Sequence, residues 1–288
     1  MYQVKVYKDK EFDVYELVNS EAESWLKVVP ERGGIIIGFG VDGEETLFLN
    51  KETLYNPDKN IRGGIPILFP ISGQLDNGEY EWNGKVYQMK NHGVARNNPW
   101  EVMNTKANEE QASMTLCLKS NQETKKEFPF DFELIFTYTI GAGGLDIQQQ
   151  YINHSDSPMP MYPGFHPYFR TTHKDLSYIT DAKTYLDYND MEIKVIKGSL
   201  DLTEKKESFA LLDAAKREIE FELPERKKTF VLTYGEEFKY VVLWTEKDQD
   251  FVCVEPWMAL TNELNRKEEL VIVQPGKALK TTMRISIQ

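Results

Sequence analysis

Residues 132–140 read FELIFTYTI. Phe132, Leu134, Phe136, Tyr138 and Ile140 fall at every second position, with Glu133, Ile135, Thr137 and Thr139 between them. Side chains in an extended chain point alternately to opposite faces, so this spacing is that of a strand with one wholly apolar face. The same period returns in 282–288, where Met283, Ile285 and Ile287 alternate with Thr282, Arg284 and Ser286, and again in 112–118, 145–152, 229–234, 239–245 and 251–255. So many half-buried strands predict an all-β protein, a large antiparallel β-sandwich with few short helices, as a single domain over 1–288. No linker, repeat or compositional break divides the chain.

The turns fit that reading. Asp42-Gly43 separates GIIIGFGV from EETLFLN, and Asn83-Gly84 separates EYEW from KVYQ. Both dipeptides accept the positive φ angles that tight hairpins need. GAGG at 141–144 parts two further strands. The best helical candidate is 204–219, around FALLDAAKREI. Residues 38–43, GFGVDG, match a dinucleotide-binding glycine pattern. That site needs a helix opening at the glycines inside a βαβ unit. The next residues, EETLFLN, read instead as a returning strand, so a plain Asp-Gly turn is expected.

Composition narrows the partners. The net charge is −12, from 46 acids against 34 bases. Nucleic acids and anionic membranes call for basic surfaces, so neither is an expected partner. A small anion held by one or two arginines remains compatible. The five Trp, fifteen Tyr and fifteen Phe supply a sizeable core. Cys117 and Cys253, the two cysteines, lie in apolar runs and are expected to be core thiols. The N-terminal MYQVKVYKDKEFDVYEL contains no signal-like apolar segment, and a cytoplasmic protein is expected.

Four stretches carry groups that do chemistry. In 61–74, IRGGIPILFPISGQ, Arg62 precedes two glycines that permit close backbone approach to a ligand. Its planar fork suits vicinal hydroxyls, carboxylate or phosphate, although a surface ion pair is the plainer reading. In 91–98, NHGVARNN, His92, Arg96 and Asn97 share one polar loop. In 162–169, YPGFHPYF, His166 lies between prolines and among rings, compatible equally with a packed histidine and a rigidly mounted acid. In 251–257, FVCVEPW, alternation puts Glu255 on the face of Phe251 and Cys253. A carboxylate continuing an apolar row is costly to ionise, which raises its pKa and suits a general base. His154 and His173 lie in polar turns and are expected to be solvated.

Together these stretches resemble the aldose 1-epimerase (galactose mutarotase) family, over nearly the whole chain. RGGIPILFP and HGVARN are similar to the hexose-6-phosphate epimerase branch. The resemblance implies a large antiparallel β-sandwich and a reaction that interconverts the α and β anomers of a sugar. By the same resemblance, Glu255 is the base that takes the anomeric hydroxyl proton, and His166 is the acid that protonates the ring oxygen. His92 would bond near that oxygen, while Arg62 and Arg96 would grip hydroxyls or phosphate. Asn97, Tyr168 and Trp257 complete the expected binding residues. No metal or other cofactor is implied, and the expected partner is a small sugar or sugar phosphate. Some relatives hold a sugar hydroxyl with an acidic residue; Asp187 and Asp201 lie in a plausible region for it, and nothing local singles either out. The rivals are a non-catalytic carbohydrate-binding protein, a glycosidase, which needs two flanking carboxylates, and a metal site of His92, His166 and Glu255, which lacks a ligand-spaced motif.

Overall fold

The strand Phe132–Gly141 pairs over its full length with Gly144–Asn153, from Phe132 opposite Asn153 to Gly141 opposite Gly144. Phe132, Leu134, Phe136, Tyr138 and Ile140 are all buried, and the residues between them are half-buried. The period of two is thus the division between core and outer face. This hairpin belongs to an eight-stranded sheet in a computed structural model that describes residues 1–288. From one edge the order is Tyr178–Ile179, Glu218–Leu223, Lys228–Tyr234, Ala278–Ile287, Gly144–Asn153, Phe132–Gly141, Gln111–Lys119 and Glu101–Ala107. All its ladders are antiparallel.

A second large sheet runs from Glu192–Val195 through Thr184–Asp187, Phe209–Leu211 and Tyr240–Trp244 to Phe251–Trp257, then to Gly164–Phe165 and Ile67–Leu68. Tyr168–Arg170 also pairs with Phe251–Trp257. Aromatic rings join the two sheets. Phe136 of the first lies 6.0 Å from Phe165 of the second, and Phe169 of the second meets Phe221 and Phe230 of the first edge-on at 4.9 and 5.4 Å. Such pairs add to the area they bury. The resulting core is one continuous cluster of 59 buried residues, from Tyr2 to Ile285. The five strands between Gln3 and Glu45 form a meander that adds Leu17, Leu26, Val28, Ile36 and Phe39 to this cluster.

The turns are as the sequence predicts. Asp42 and Gly43 have φ of 51° and 77°, and Asn83 and Gly84 have 52° and 76°. GFGVDG therefore closes a hairpin, with Val41 opposite Glu44. The expected helix over 204–219 is not present. Phe209–Leu211 is instead a strand between Thr184–Asp187 and Tyr240–Trp244, and Glu218 begins another. Pairing on both sides satisfies the backbone there and overrides a helical propensity that is worth only tenths of a kcal/mol per residue. The α-helices present are Lys51–Tyr55, Thr124–Glu127 and Glu263–Arg266, and no helix is long and apolar enough to cross a membrane. Cys117 and Cys253 are buried free thiols in different sheets.

Tyr138 ties the meander to the first sheet, since its buried hydroxyl donates to the Gly34 carbonyl at 2.7 Å. Tyr138→Phe leaves that acceptor without its partner. It should lower unfolding free energy by about 1–3 kcal/mol in urea melts with an unchanged m-value.

Candidate active site

The second sheet positions the functional groups by alternation. In Phe251–Trp257, Val252 and Val254 enter the main core, while Phe251 and Cys253 pack with Tyr168 on the opposite face. Glu255 continues that outer row, across the ladder from Val242, and is 1% exposed. The YPGFHPYF segment uses the same logic. Phe165 and Phe169 are in the core cluster, and His166 and Tyr168 face the other way, their rings stacked at 4.6 Å and 8°. Trp244 meets His166 edge-on at 5.8 Å. The prolines and rings thus fix His166 in one orientation.

His166 Nδ1 lies 3.4 Å from Glu255 Oε1. That is within ion-pair range, but the direction is too poor for a hydrogen bond, and Nδ1 has no other partner. The second carboxylate oxygen, Oε2, accepts from the Trp257 indole Nε1 at 3.1 Å. Burial drives Glu255 well above the usual carboxylate range, a rise opposed by the Trp257 bond. Burial drives His166 well below the usual imidazole range, and the neighbouring His92, Arg96 and Arg62 act the same way.

His92 sits edge-on to His166, with ring centres 5.4 Å apart. Its Nδ1 is 2.5 Å from the Ser72 carbonyl. A carbonyl only accepts, so Nδ1 carries the proton and Nε2 of the neutral ring is an acceptor. Burial, followed by the Arg96 charge, lowers its pKa to about 3, against the opposing pull of Ser72. The backbone is unusual here, with φ of 65° at His92 and 72° at Gly93. A side chain at 93 would place its Cβ 2.3 Å from the Phe69 carbonyl oxygen, so only glycine fits.

Glu255, His166, His92, Trp257 and Arg62 border one cavity of about 400 Å³, within the size range of small-molecule sites. Three other expected residues do not. Tyr168 is 1% exposed and backs His166. Arg96 and Asn97 border a separate small cleft with Arg32 and Pro66. Arg96 donates through Nη2 to the Asn91 carbonyl at 3.0 Å, and its charge acts on the histidines from behind. Neither candidate aspartate, Asp187 or Asp201, borders the cavity. Asp187 is consumed by Asn189 and Lys194, and exposed Asp201 caps Thr203. The additional acids at the cavity are Glu207 and Glu246. Glu246 Oε2 pairs with Arg62 Nε at 3.0 Å, and the Arg62 guanidinium lies 5.3 Å from the Trp244 ring centre. Gln74, at the end of IRGGIPILFPISGQ, and Tyr188 also line the cavity and carried no local signal in the sequence.

Donor atoms of His166, Cys253 and Glu255 lie within 4.8 Å of one another, a set that a metal ion would test first. Burial holds the Cys253 thiol well above its ordinary pKa.

The sequence model of the family described as aldose 1-epimerase matches residues 13–286. The chain belongs to the aldose 1-epimerase family. It is 33% identical to the Slr1438 protein of Synechocystis sp. PCC 6803, whose crystal structure superposes with a TM-score of 0.93 over 100% of this chain and 99% of that one. A galactose mutarotase-like protein from Clostridium acetobutylicum, 17% identical, shares the fold at a TM-score of 0.82, over 100% of this chain and 98% of that one. A Cenchrus ciliaris protein named "Putative glucose-6-phosphate 1-epimerase" is 28% identical over 273 residues, 88% of this chain and 79% of its own length. The β-sandwich of large antiparallel sheets and the general mutarotase type of activity, exchange of sugar anomers, accord with aldose 1-epimerase membership.

The His92 environment has a measurable consequence. The unfolded chain protonates this ring near pH 6.5 and the folded one near 3. Stability is therefore undiminished by this group above about pH 6.5 and declines as pH falls below it. His92→Asn, which keeps a residue tolerant of positive φ, should flatten that part of the stability–pH curve in urea melts. Ring ¹⁵N shifts of His92 should not move between pH 8 and 5.

Proposed function

We propose that the protein is an aldose 1-epimerase acting on a free aldohexose in the cytoplasm, with Glu255 and His166 as its acid–base pair. The observation that carries this reading is the buried contact at 3.4 Å between His166 Nδ1 and Glu255 Oε1 beside the cavity. The reaction needs one mobile proton shared between two groups. Glu255 takes the proton of the anomeric hydroxyl as the C1–O5 bond breaks and C1 becomes a carbonyl, and His166 delivers a proton to O5. Rotation about C1–C2 and reclosure return both protons, leaving the opposite anomer. Burial disfavours charge on either partner, so the mobile proton of the resting pair sits on Glu255 and must pass to His166 before Glu255, as carboxylate, can take the anomeric proton. An acid and a base so placed each contribute roughly 10²–10⁴-fold. His92, a fixed neutral acceptor, suits a sugar hydroxyl near the reacting carbon, and Trp257 and Trp244 suit the apolar face of the ring. Neither a metal nor a nucleotide enters these steps.

The charge balance of the cavity supports a neutral hexose. Arg62 is paired with Glu246, and Lys206 lies 3.8 Å from Glu207, so each cation at the rim has its own anion. A second reading, a hexose 6-phosphate, draws on those same two cations and on the glucose 6-phosphate in the name of the Cenchrus ciliaris relative. Rates of anomer exchange on glucose, galactose and glucose 6-phosphate, followed by NMR, discriminate the two.

Glu255→Gln and His166→Asn should each slow exchange by at least about 100-fold, with circular dichroism unchanged. A near-normal rate in either folded variant would sink the acid–base assignment. Glu246→Gln, which frees the Arg62 guanidinium, should shift the ratio of kcat/KM toward glucose 6-phosphate.

A further inference from the structure

Glu255 has one hydrogen bond, and it comes from a residue two positions along its own strand. The donor, Trp257, is 5% exposed and borders the cavity. An indole is an expensive way to line a sugar site unless its edge has a task, because the buried N–H needs an acceptor. Here that acceptor is the oxygen of Glu255 that does not face His166.

The indole is also seated with care. A Cβ on Gly164 would fall 2.8 Å from Trp257 Cδ1, the carbon bonded to Nε1. A Cβ on Gly73 would fall 3.1 Å from Cζ3, on the benzene half of the ring, and 2.7 Å from Thr261 Cγ2. Gly164 and Gly73 belong to separate segments, each beside a site element, and neither has the positive φ that would demand glycine for backbone reasons. A Cβ on Gly164 would also fall 2.9 Å from the Pro256 carbonyl oxygen and 3.0 Å from Ser72 Cβ, so the bare position clears the strand as well as the ring. His92 meets the same indole edge-on at 6.2 Å.

We propose that Trp257 is the positioning residue of the catalytic carboxylate: its N–H fixes the rotamer of Glu255, and Gly164 and Gly73 are the clearance that holds the indole in register. Oε1 is thereby left as the oxygen that handles the proton, turned toward His166. This goes beyond a stacking role for the ring. It rests on Glu255 being the base, and the test separates the two ideas.

Trp257→Phe keeps an aromatic face and removes the donor. It should lower kcat by about 10-fold or more, with KM within about threefold. It should also move the acidic limb of the pH–rate profile upward, because Glu255 loses the bond that favours its charged form. Gly164→Ala, which touches no reacting group, should shift kcat and the limb in the same direction by displacing the indole. A rise in KM alone, with kcat and pH profile unchanged in Trp257→Phe, would overturn the proposal in favour of a simple stacking surface. An arm independent of turnover uses ¹⁵N-tryptophan protein. The Trp257 indole N–H resonance should follow the protonation of Glu255 and should shift upfield in Glu255→Gln. An indole resonance indifferent to both would likewise overturn it. If the wild-type protein exchanged the anomers of no aldose while the resonance still tracked Glu255, the epimerase reading would fail and the positioning role would stand.

Discussion

Everything at the site depends on keeping a carboxylate and an imidazole out of water within 3.4 Å of each other. Each is costly to charge in that setting, and the protein meets the cost through rigidity. The strand Phe251–Trp257 is buried at all seven positions. One face is locked into the sandwich core through Val252 and Val254, so the other cannot tilt Glu255 toward solvent. His166 is held by the stacked Tyr168 behind it and by Phe165, whose ring reaches Phe136 of the opposite sheet. The two large sheets therefore form a vice, and the pair sits on the outer face of one jaw.

Around the pair, charge is arranged so that few groups are free to move. His92 is pinned by the Ser72 carbonyl, Arg62 is tethered by Glu246, and Arg96 sits behind the histidines as a fixed cation. Preorganisation of this kind lowers the reorganisation needed when charge develops on a reacting sugar. Only modest catalytic power is required, because ring opening already proceeds unaided in water. The site accordingly relies on placement rather than on an unusual nucleophile.

Much of this was legible in the sequence because strands write their orientation into every second residue. The FELIFTYTI period marks a face that is in fact buried throughout, and the same rule puts Glu255 in line with Cys253. Loops carry no such rule. Arg96 and Asn97 stand within five residues of His92, yet the left-handed backbone at His92 and Gly93 turns them into another cleft. Tyr168 obeys the alternation with His166, but a shared face did not reveal that it lies beneath the ring. Glu246 sits in a charged turn after Tyr240–Trp244, where nothing local marks it off from its neighbours. The segment 204–219 failed for a different reason. Its apolar residues suit a helix locally, and only the flanking strands, distant in sequence, recruit Phe209–Leu211 into a sheet.

The strand order has a consequence for how the molecule comes together. Ala278–Ile287 lies in the interior of the first large sheet, with Gly144–Asn153 on one side and Lys228–Tyr234 on the other. Until those ten residues are available, that sheet exists only as two halves with open edges facing each other. Closing it joins partners more than a hundred positions apart, and long-range pairing of this sort is slow. During synthesis, exposed edges would therefore persist until Ala278–Ile287 has emerged, and a nascent chain of this architecture has reason to need shielding while it waits.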